Sequence, residues 1–413
     1  MSRRAISLFR RIEGALETIA RGSTPLETIR ETAEHLVENF SSDLGLVGGR
    51  IYERDDDSNY VLVATFGRTG RQAIGRRIGR SYPAMERLLD EGSVVMSLSD
   101  AGVDRELEAE LGTGEQFAAI VVADGAYALA FDVVPGTGMS EDLIAALNIV
   151  RFAINQKLRE EKMMEILEEA RRIQGSILPR RTPSYGDFRL AARSIPAEVV
   201  GGDFYDFITL TDETFNVVVA DATGHGLPAA LQVRDIFMGL RMGLTRDYKL
   251  TRTLERLNGI IHRSRLATKF VSLILAEVDT RGTVMYCNAG HPPGILIRLD
   301  GTVEYLRTGG MILGPRRTTH YSIDLVRMEP GDILALYTDG ITETARGRAE
   351  EEEFSVSRLA RLLGENRTLS PDELVDLVFD TVREFSGREH PADDQTMVIL
   401  KRDLPDAKGG GTP

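Results

Sequence analysis

Cysteine is almost missing from this 413-residue chain: Cys287 is the only one. No intrachain disulfide can form, and such thiol poverty fits a reducing compartment. The segment before residue 140 has no cysteine at all, which excludes a chromophore held there through a thioether. Positive charge is also short. The formal net charge is −13, and nucleic acid is not expected as a main partner, because phosphate backbones need a cationic surface. No run of about 18 uncharged apolar residues occurs, so no membrane span is expected. Met1-Ser2-Arg3-Arg4 leads into an amphipathic segment without a long apolar stretch, so no signal peptide is evident. These absences predict a cytoplasmic protein. No kinase-like segment is seen either. Apolar content of 42 % is ordinary, and the length allows two or three domains.

Three parts follow from the patterning. Residues 1–140 begin with Thr24-Pro25-Leu26-Glu27, which has an N-cap threonine, proline at the first helical position and glutamate at N3. Leu26, Ile29, Ala33, Leu36, Val37 and Phe40 then recur at helical spacing. Strand pairs are predicted at 46–52 with 60–66, and at 117–122 with 127–134 around the Asp124-Gly125 turn. The expectation is a mixed α/β domain with an antiparallel sheet and helices on one face. Residues 141–179 read as one long helix with a narrow apolar stripe: Leu143, Leu147, Val150, Ile154 and Leu158, continued after a phase slip by Met163, Ile166, Ala170, Ile173 and Ile177. That stripe suits a coiled coil across a dimer axis, so a homodimer is expected. Gly175 and Pro179 are read as its end. Residues 187–403 are rich in strand signals with inserted helices, giving an α+β sandwich. The tail 404–413 is expected to be disordered.

The third part carries four segments in which aspartates stand among glycines or turn residues. They are Val200-Gly201-Gly202-Asp203, Asp221-Ala222-Thr223-Gly224-His225-Gly226, Thr338-Asp339-Gly340 and Asp393-Asp394-Gln395-Thr396. Apolar runs lead into Asp221 and Asp339, and one leaves the Asp393-Asp394 pair. Carboxylates at the rims of rigid strands can meet at one point, where they repel unless cations lie between them. Hard ions such as Mg²⁺ or Mn²⁺ take oxygen ligands of this kind. A two-metal oxygen cage activates water for attack on phosphorus, so phosphate-ester hydrolysis is the expected chemistry.

With Asn288-Ala289-Gly290-His291-Pro292-Pro293 between them, these segments resemble, in order, the metal-dependent PP2C-type serine/threonine phosphatases. The stretches Val199 to Phe207, Val219 to Ala230, Tyr337 to Glu343 and Asp393 to Met397 carry the likeness. It is nearest to the bacterial sporulation and stress-response branch. Ile173-Gln174-Gly175-Ser176-Ile177-Leu178-Pro179 looks like the entry to the domain in that branch. The resemblance implies an αββα sandwich and two divalent ions, Mn²⁺ or Mg²⁺. Asp221 would bridge the ions, Asp203 and the carbonyl of Ala222 would hold one, and Asp339 with Asp393 the other. Asp394 would be a neighbouring or alternative ligand. The implied substrate is a phosphoserine or phosphothreonine protein, in this branch a STAS-type anti-sigma factor antagonist. The first part is similar to a GAF sensor domain in its order of elements alone, with a small molecule or protein as its implied signal.

Two departures stand out: Ala222 replaces a common glycine, and Val199 stands where many members carry glutamate, with Glu198 one residue earlier. His225 and His291 invite a general-acid reading, but each more simply orders its own loop. Cys287 ends a strand and reads as a packed thiol. Gly201-Gly202-Asp203-Phe204 is superficially similar to a diguanylate-cyclase signature, yet Phe204 stands in place of the required glutamate. The rival from another class is a non-catalytic signalling scaffold with a degenerate phosphatase fold, against which all four main carboxylates stand.

Overall fold

The computed structural model describes residues 24–69, 73–135, 140–179, 181–224, 226–245, 250–264, 270–346 and 352–404, together with Arg11 and Gly14. His225 and the expected tail beyond residue 404 lie outside the described residues. The chain divides into two compact units, Met1–Glu165 and Ile166–Pro413. Among the described residues no helix is long and apolar enough to cross a membrane.

The first unit is built on a six-stranded sheet, entered through helix α1 (Pro25–Leu44), whose Thr24 hydroxyl accepts from the Glu27 amide at 3.3 Å. Its strands are β1 (Leu46–Arg54), β2 (Tyr60–Gly67), β3 (Arg77–Ile78), β4 (Ser93–Ser97), β5 (Gln116–Val122) and β6 (Tyr127–Val133). They pair antiparallel in the order β3-β2-β1-β6-β5-β4. Because side chains alternate along a strand, each face has its own set. Ile51, Ile120, Leu129 and Phe131 pack under Ile29, Leu36 and Phe40 of α1. Tyr52, Leu62, Phe117 and Ala119 pack under Met85 and Leu88 of α2 (Pro83–Glu91), with Leu111 closing the end of α3 (Arg105–Glu110). Helices thus cover both faces, not one as expected. The two short helices bury few residues each, too few to leave a helical period in the sequence.

Helix α4 (Ser140–Ile177) runs for 38 residues and crosses the boundary between the units. Its first half is a core helix: Leu143, Ala146, Leu147, Val150 and Ile154 are buried against the first sheet. That differs from the expectation of a coiled-coil linker helix from residue 141, because Ala146, Ile149 and Ala153 widen the stripe of Leu143, Leu147, Val150 and Ile154 into a face that the first sheet covers. In the second half Met163 is 57 %, Ile166 43 % and Ile173 54 % exposed. The helix ends at Ile177, two residues beyond Gly175.

The second unit stacks two sheets. One has β8 (Asp203–Thr211), β9 (Thr214–Ala222), β10 (Val271–Asp279), β11 (Thr283–Ala289) and β14 (Gly309–Gly310), with β15 (Asp324–Arg327) also on β11. The other has β13 (Val303–Leu306), β12 (Gly294–Ile297), β16 (Ile333–Tyr337), β17 (Gln395–Arg402) and β7 (Phe188–Ile195), in that order. Phe215, Val217, Val219 and Ile274 from the first meet Leu296, Leu334, Leu336, Val398 and Leu400 from the second. Outside the first sheet, Val218 and Ala220 lie under α5 (Leu227–Gly243) and α6 (Leu250–Arg263). Outside the second, Ala335, Tyr337, Met397 and Ile399 lie under α8 (Val356–Glu365) and α9 (Pro371–Ser386). The layers run helix, sheet, sheet, helix. Burial on both faces is why β9, β10, β16 and β17 read as largely apolar runs. Each fully buried Val, Leu or Ile there contributes about 1.5–3 kcal/mol. Asp221 directly follows the apolar stretch ending at Ala220, Asp339 comes one residue past the end of β16 beyond Thr338, and Asp393 and Asp394 stand just ahead of β17, so the packing of these strands sets where the carboxylates stand.

Candidate active site

Asp203 opens β8 and lies directly opposite Asp221 near the end of β9. Ser272 of β10 is the partner of Asp221 on its other side. From the second sheet, β16 ends at Tyr337, and Thr338 caps the one-turn helix α7 (Asp339–Thr342), so Asp339 heads that turn. Asp393 and Asp394 immediately precede β17. The two sheets are tied together at this rim. The Thr338 hydroxyl donates to Asp203 Oδ2 at 2.8 Å and accepts from the Thr396 amide at 2.9 Å.

The sequence-derived aspartates are therefore brought to one place, but their surroundings differ. Burial, then the charges of Asp339, Asp393 and Asp394, push the Asp221 carboxyl up to about 7. Burial and the facing Asp221 push Asp203 well above the ordinary carboxylate range, against the pull of the Thr396 and Thr338 hydroxyls. Asp339 is raised by burial and by Asp393. Asp393 is exposed and accepts from the Asp394 amide through Oδ1 at 2.8 Å. Asp394 is buried, and both its oxygens are engaged: Oδ1 by the Ala197 amide at 2.7 Å, Oδ2 by the Gly202 amide at 2.5 Å. It clamps the glycine loop ahead of Asp203. A Cβ at Gly201 would lie 2.5 Å from Asp394 Oδ2, and one at Gly340 2.0 Å from the Asp394 carbonyl oxygen, so both positions exclude a side chain.

Ala222 costs the backbone nothing, since its φ is not positive, and its methyl is fully buried under α5. Its amide donates to the Gly202 carbonyl at 3.0 Å. Asp206 is buried and takes both forks of Arg241, each at 2.9 Å, fastening α5 to β8. Burial pushes the His291 imidazole down to about 3, so it is neutral at pH 7 and no store of protons. Its Nδ1 lies 2.6 Å from the Ser272 hydroxyl, and its backbone is held at both ends by the Asn288 amide group. His291 thus orders the loop beside Asp221. Burial pushes the Cys287 thiol up to about 12, which leaves it inert.

Sequence reading missed the positioning groups. Thr338 and Thr396 were visible only as neighbours of aspartates. Gln174, near the end of α4, donates to the Gly201 carbonyl at 2.6 Å and accepts from the Gly201 amide at 3.2 Å. The only sign of that contact was its place in the Ile173-to-Pro179 stretch.

Whether these residues suit divalent ions rests on the donor set. It consists of carboxylates and the Ala222 carbonyl, without thiolate or imidazole, and burial together with neighbouring charge raises Asp203, Asp221 and Asp339. That is a site for hard cations. Among the described residues no three acidic, histidine or cysteine side chains stand close enough to share an ion. The fit is one of chemistry and convergence.

Known proteins agree with this architecture. The family model described as Stage II sporulation protein E matches residues 211–403. The second unit carries a PP2C-type protein phosphatase domain of the SpoIIE family. The matched stretch includes Asp221, Asp339, Asp393 and Asp394 and starts after Asp203. The chain is 27 % identical over 251 residues to phosphoserine phosphatase RsbU of Bacillus subtilis, covering 60 % of this chain and 72 % of RsbU. It is also 27 % identical over 297 residues to protein IcfG of Synechocystis, with 64 % of this chain and 46 % of IcfG covered. It spans under half the length of that relative. The solved SiaA PP2C domain of Pseudomonas aeruginosa superposes with a TM-score of 0.52 at 25 % identity, covering 59 % of this chain and 99 % of that domain.

The raised carboxyls of this SpoIIE-family domain make a stability prediction. A carboxyl whose folded pKa is raised favours the fold below its unfolded pKa, and that contribution is lost as pH rises through the folded value. For Asp221 the window runs from the ordinary 3.8 to about 7. Asp221→Asn is expected to raise the melting temperature of chelator-treated protein at pH 8 by about 4 °C or more and by less than half as much at pH 5, inside the window. Calorimetry at the two pH values checks this, and an equal effect at both would contradict it.

Proposed function

We propose that this chain is a metal-dependent protein serine/threonine phosphatase acting on a phosphoserine in a small signalling protein. The observation that supports this most is the meeting of Asp203, Asp221, Asp339 and Asp393 at the joined rims of two sheets, with Asp221 raised by burial and by its neighbours' charges. In this reading two ions, Mn²⁺ or Mg²⁺, would be held here, Asp221 serving both, Asp203 and the Ala222 carbonyl serving one, and Asp339 with Asp393 the other. Bound ions supply an activated water and offset charge on the phosphoryl group. The chain's own part is positional. Thr338 fixes Asp203, His291 and Ser272 brace the strand next to Asp221, and Asp394 keeps the Gly201-Gly202 loop against the site. The relatives' names favour phosphoserine, and the STAS-type anti-sigma antagonist of partner switching is the proposed class of substrate.

The first unit is proposed as a GAF-like sensor, in keeping with its six-stranded antiparallel sheet between helices. The exposed Met163, Ile166 and Ile173 support a homodimeric coiled coil through the second half of α4. Gln174 then gives the signal a route, because it grips Gly201 at both amide and carbonyl, one residue from the Asp394-bound Gly202. Two experiments test the reading. A phosphoserine peptide is expected to turn over with Mn²⁺ or Mg²⁺ and to stop with chelator, and Asp221→Asn or Asp339→Asn is expected to lower the rate by at least about 100-fold, as loss of a main electrostatic group does. Full rates in both variants would sink the mechanism. In sedimentation, the wild type is expected as a dimer and Ile166→Glu/Ile173→Glu as a monomer; a monomeric wild type would rule out the coiled coil.

A further inference from the structure

A second charged cluster lies in the first unit and has the opposite sign. A cavity of about 280 Å³ opens at the end of the sheet where the hairpin between β5 and β6 turns, and Arg54, Arg80 and Arg151 all line it. Arg54 ends β1, Arg80 follows β3, and Arg151 comes from α4 with Asn155 one turn on. The charges of Arg54 and Arg80 both reach the phenol of Tyr60, which also lines the cavity. Among the described residues neither Arg54 nor Arg80 has an ion-pair partner, in a chain whose net charge is −13. Of the acids near Arg54 in sequence, Asp55 and Asp57 pair with Arg77 at 2.6 and 3.6 Å, and Glu53 accepts from the Tyr127 hydroxyl at 2.9 Å. The one carboxylate in the lining, Asp124, is 93 % exposed and lies 3.9 Å from Arg159.

The walls of this cavity are fixed. Arg151 Nε donates to the Val121 carbonyl at 3.0 Å. Its guanidinium lies across Gly92, where a Cβ would come within 2.1 Å of Nη1. Asn155 Oδ1 accepts from the Ala123 amide at 2.7 Å, and the Tyr60 phenol donates to the Gly125 carbonyl at 2.7 Å. Both bonds hold a hairpin tip in which Ala123 and Asp124 adopt left-handed φ of 53° and 50°. Such conformations cost on the order of 1–3 kcal/mol each for residues other than glycine and gather at ligand clamps. Three guanidiniums around one cavity repel, just as the aspartates do at the phosphatase centre, and an anion between them relieves it. Planar forks with several N–H donors match phosphoryl oxygens.

We propose that this cavity is a binding site for a small phosphorylated ligand, held through its phosphoryl oxygens by Arg54, Arg80 and Arg151. The site is separate from the phosphatase centre and independent of the reading of that centre. Arg151 and Asn155 belong to the helix that continues to Gln174, so the ligand would contact the same element that grips Gly201. Calorimetric titration of the full chain with inorganic pyrophosphate and with ADP tests this, in chelator so that the aspartate centre cannot take up phosphate through metal. Saturable binding of one probe molecule per chain is expected. Arg54→Ala/Arg80→Ala is expected to weaken it at least about tenfold, Arg54→Lys/Arg80→Lys less, and Asp221→Asn not at all. Equal affinity for the two probes would assign recognition to the phosphoryl groups alone, and tighter ADP would add a contact to the nucleoside. Absence of binding to the wild type, binding retained in the double alanine variant, or binding lost in Asp221→Asn would each overturn the proposal.

Discussion

Mutual repulsion among buried carboxylates is the constraint on which the second unit depends. Asp203 and Asp221 face each other across two paired strands, with Asp339 and Asp393 acting on Asp221 from the other sheet. Raising an aspartate from 3.8 to about 7 costs a few kcal/mol when it is ionised at neutral pH. That is a sizeable share of the 5–15 kcal/mol typical of a domain's whole stability. A loose scaffold would relieve the strain by letting the strand ends part. The apolar layer between the sheets prevents this, because each strand that ends in a carboxylate is buried on both faces.

The rim is further tied by bonds that cross between the sheets. Thr338 joins Asp203 to the amide of Thr396, and Asp394 joins the start of β17 to the amides of Ala197 and Gly202. Gly201 and Gly340 are needed because Asp394 passes too close to admit a Cβ at either. Packing energy is thus spent on holding acidic groups of one sign together at the rim. The same logic with the sign reversed marks the arginine cavity of the first unit.

Much of this was legible in the chain. The apolar runs into Asp221 and Asp339 marked strands buried on both faces, and the aspartates had to stand at their ends. The Thr24 N-cap also forms as its residues imply. Strand β8 was not legible, because Asp203 and Asp206 interrupt its apolar pattern and become tolerable only through Thr338 and Arg241, both distant in sequence. The short α2 and α3 and the core role of the first half of α4 depend on the sheet they cover. Contacts such as Gln174 with Gly201 leave no periodic trace at all.

Manganese binding to the full chain, followed by calorimetry with an electron paramagnetic resonance count of bound ion, tests the central claim most directly because it needs no substrate. Two sites per chain in the wild type, with both weakened in Asp221→Asn, as expected of a carboxylate that would serve both, is the predicted result. No saturable Mn²⁺ binding by the wild type, or binding unchanged in Asp221→Asn, would contradict it.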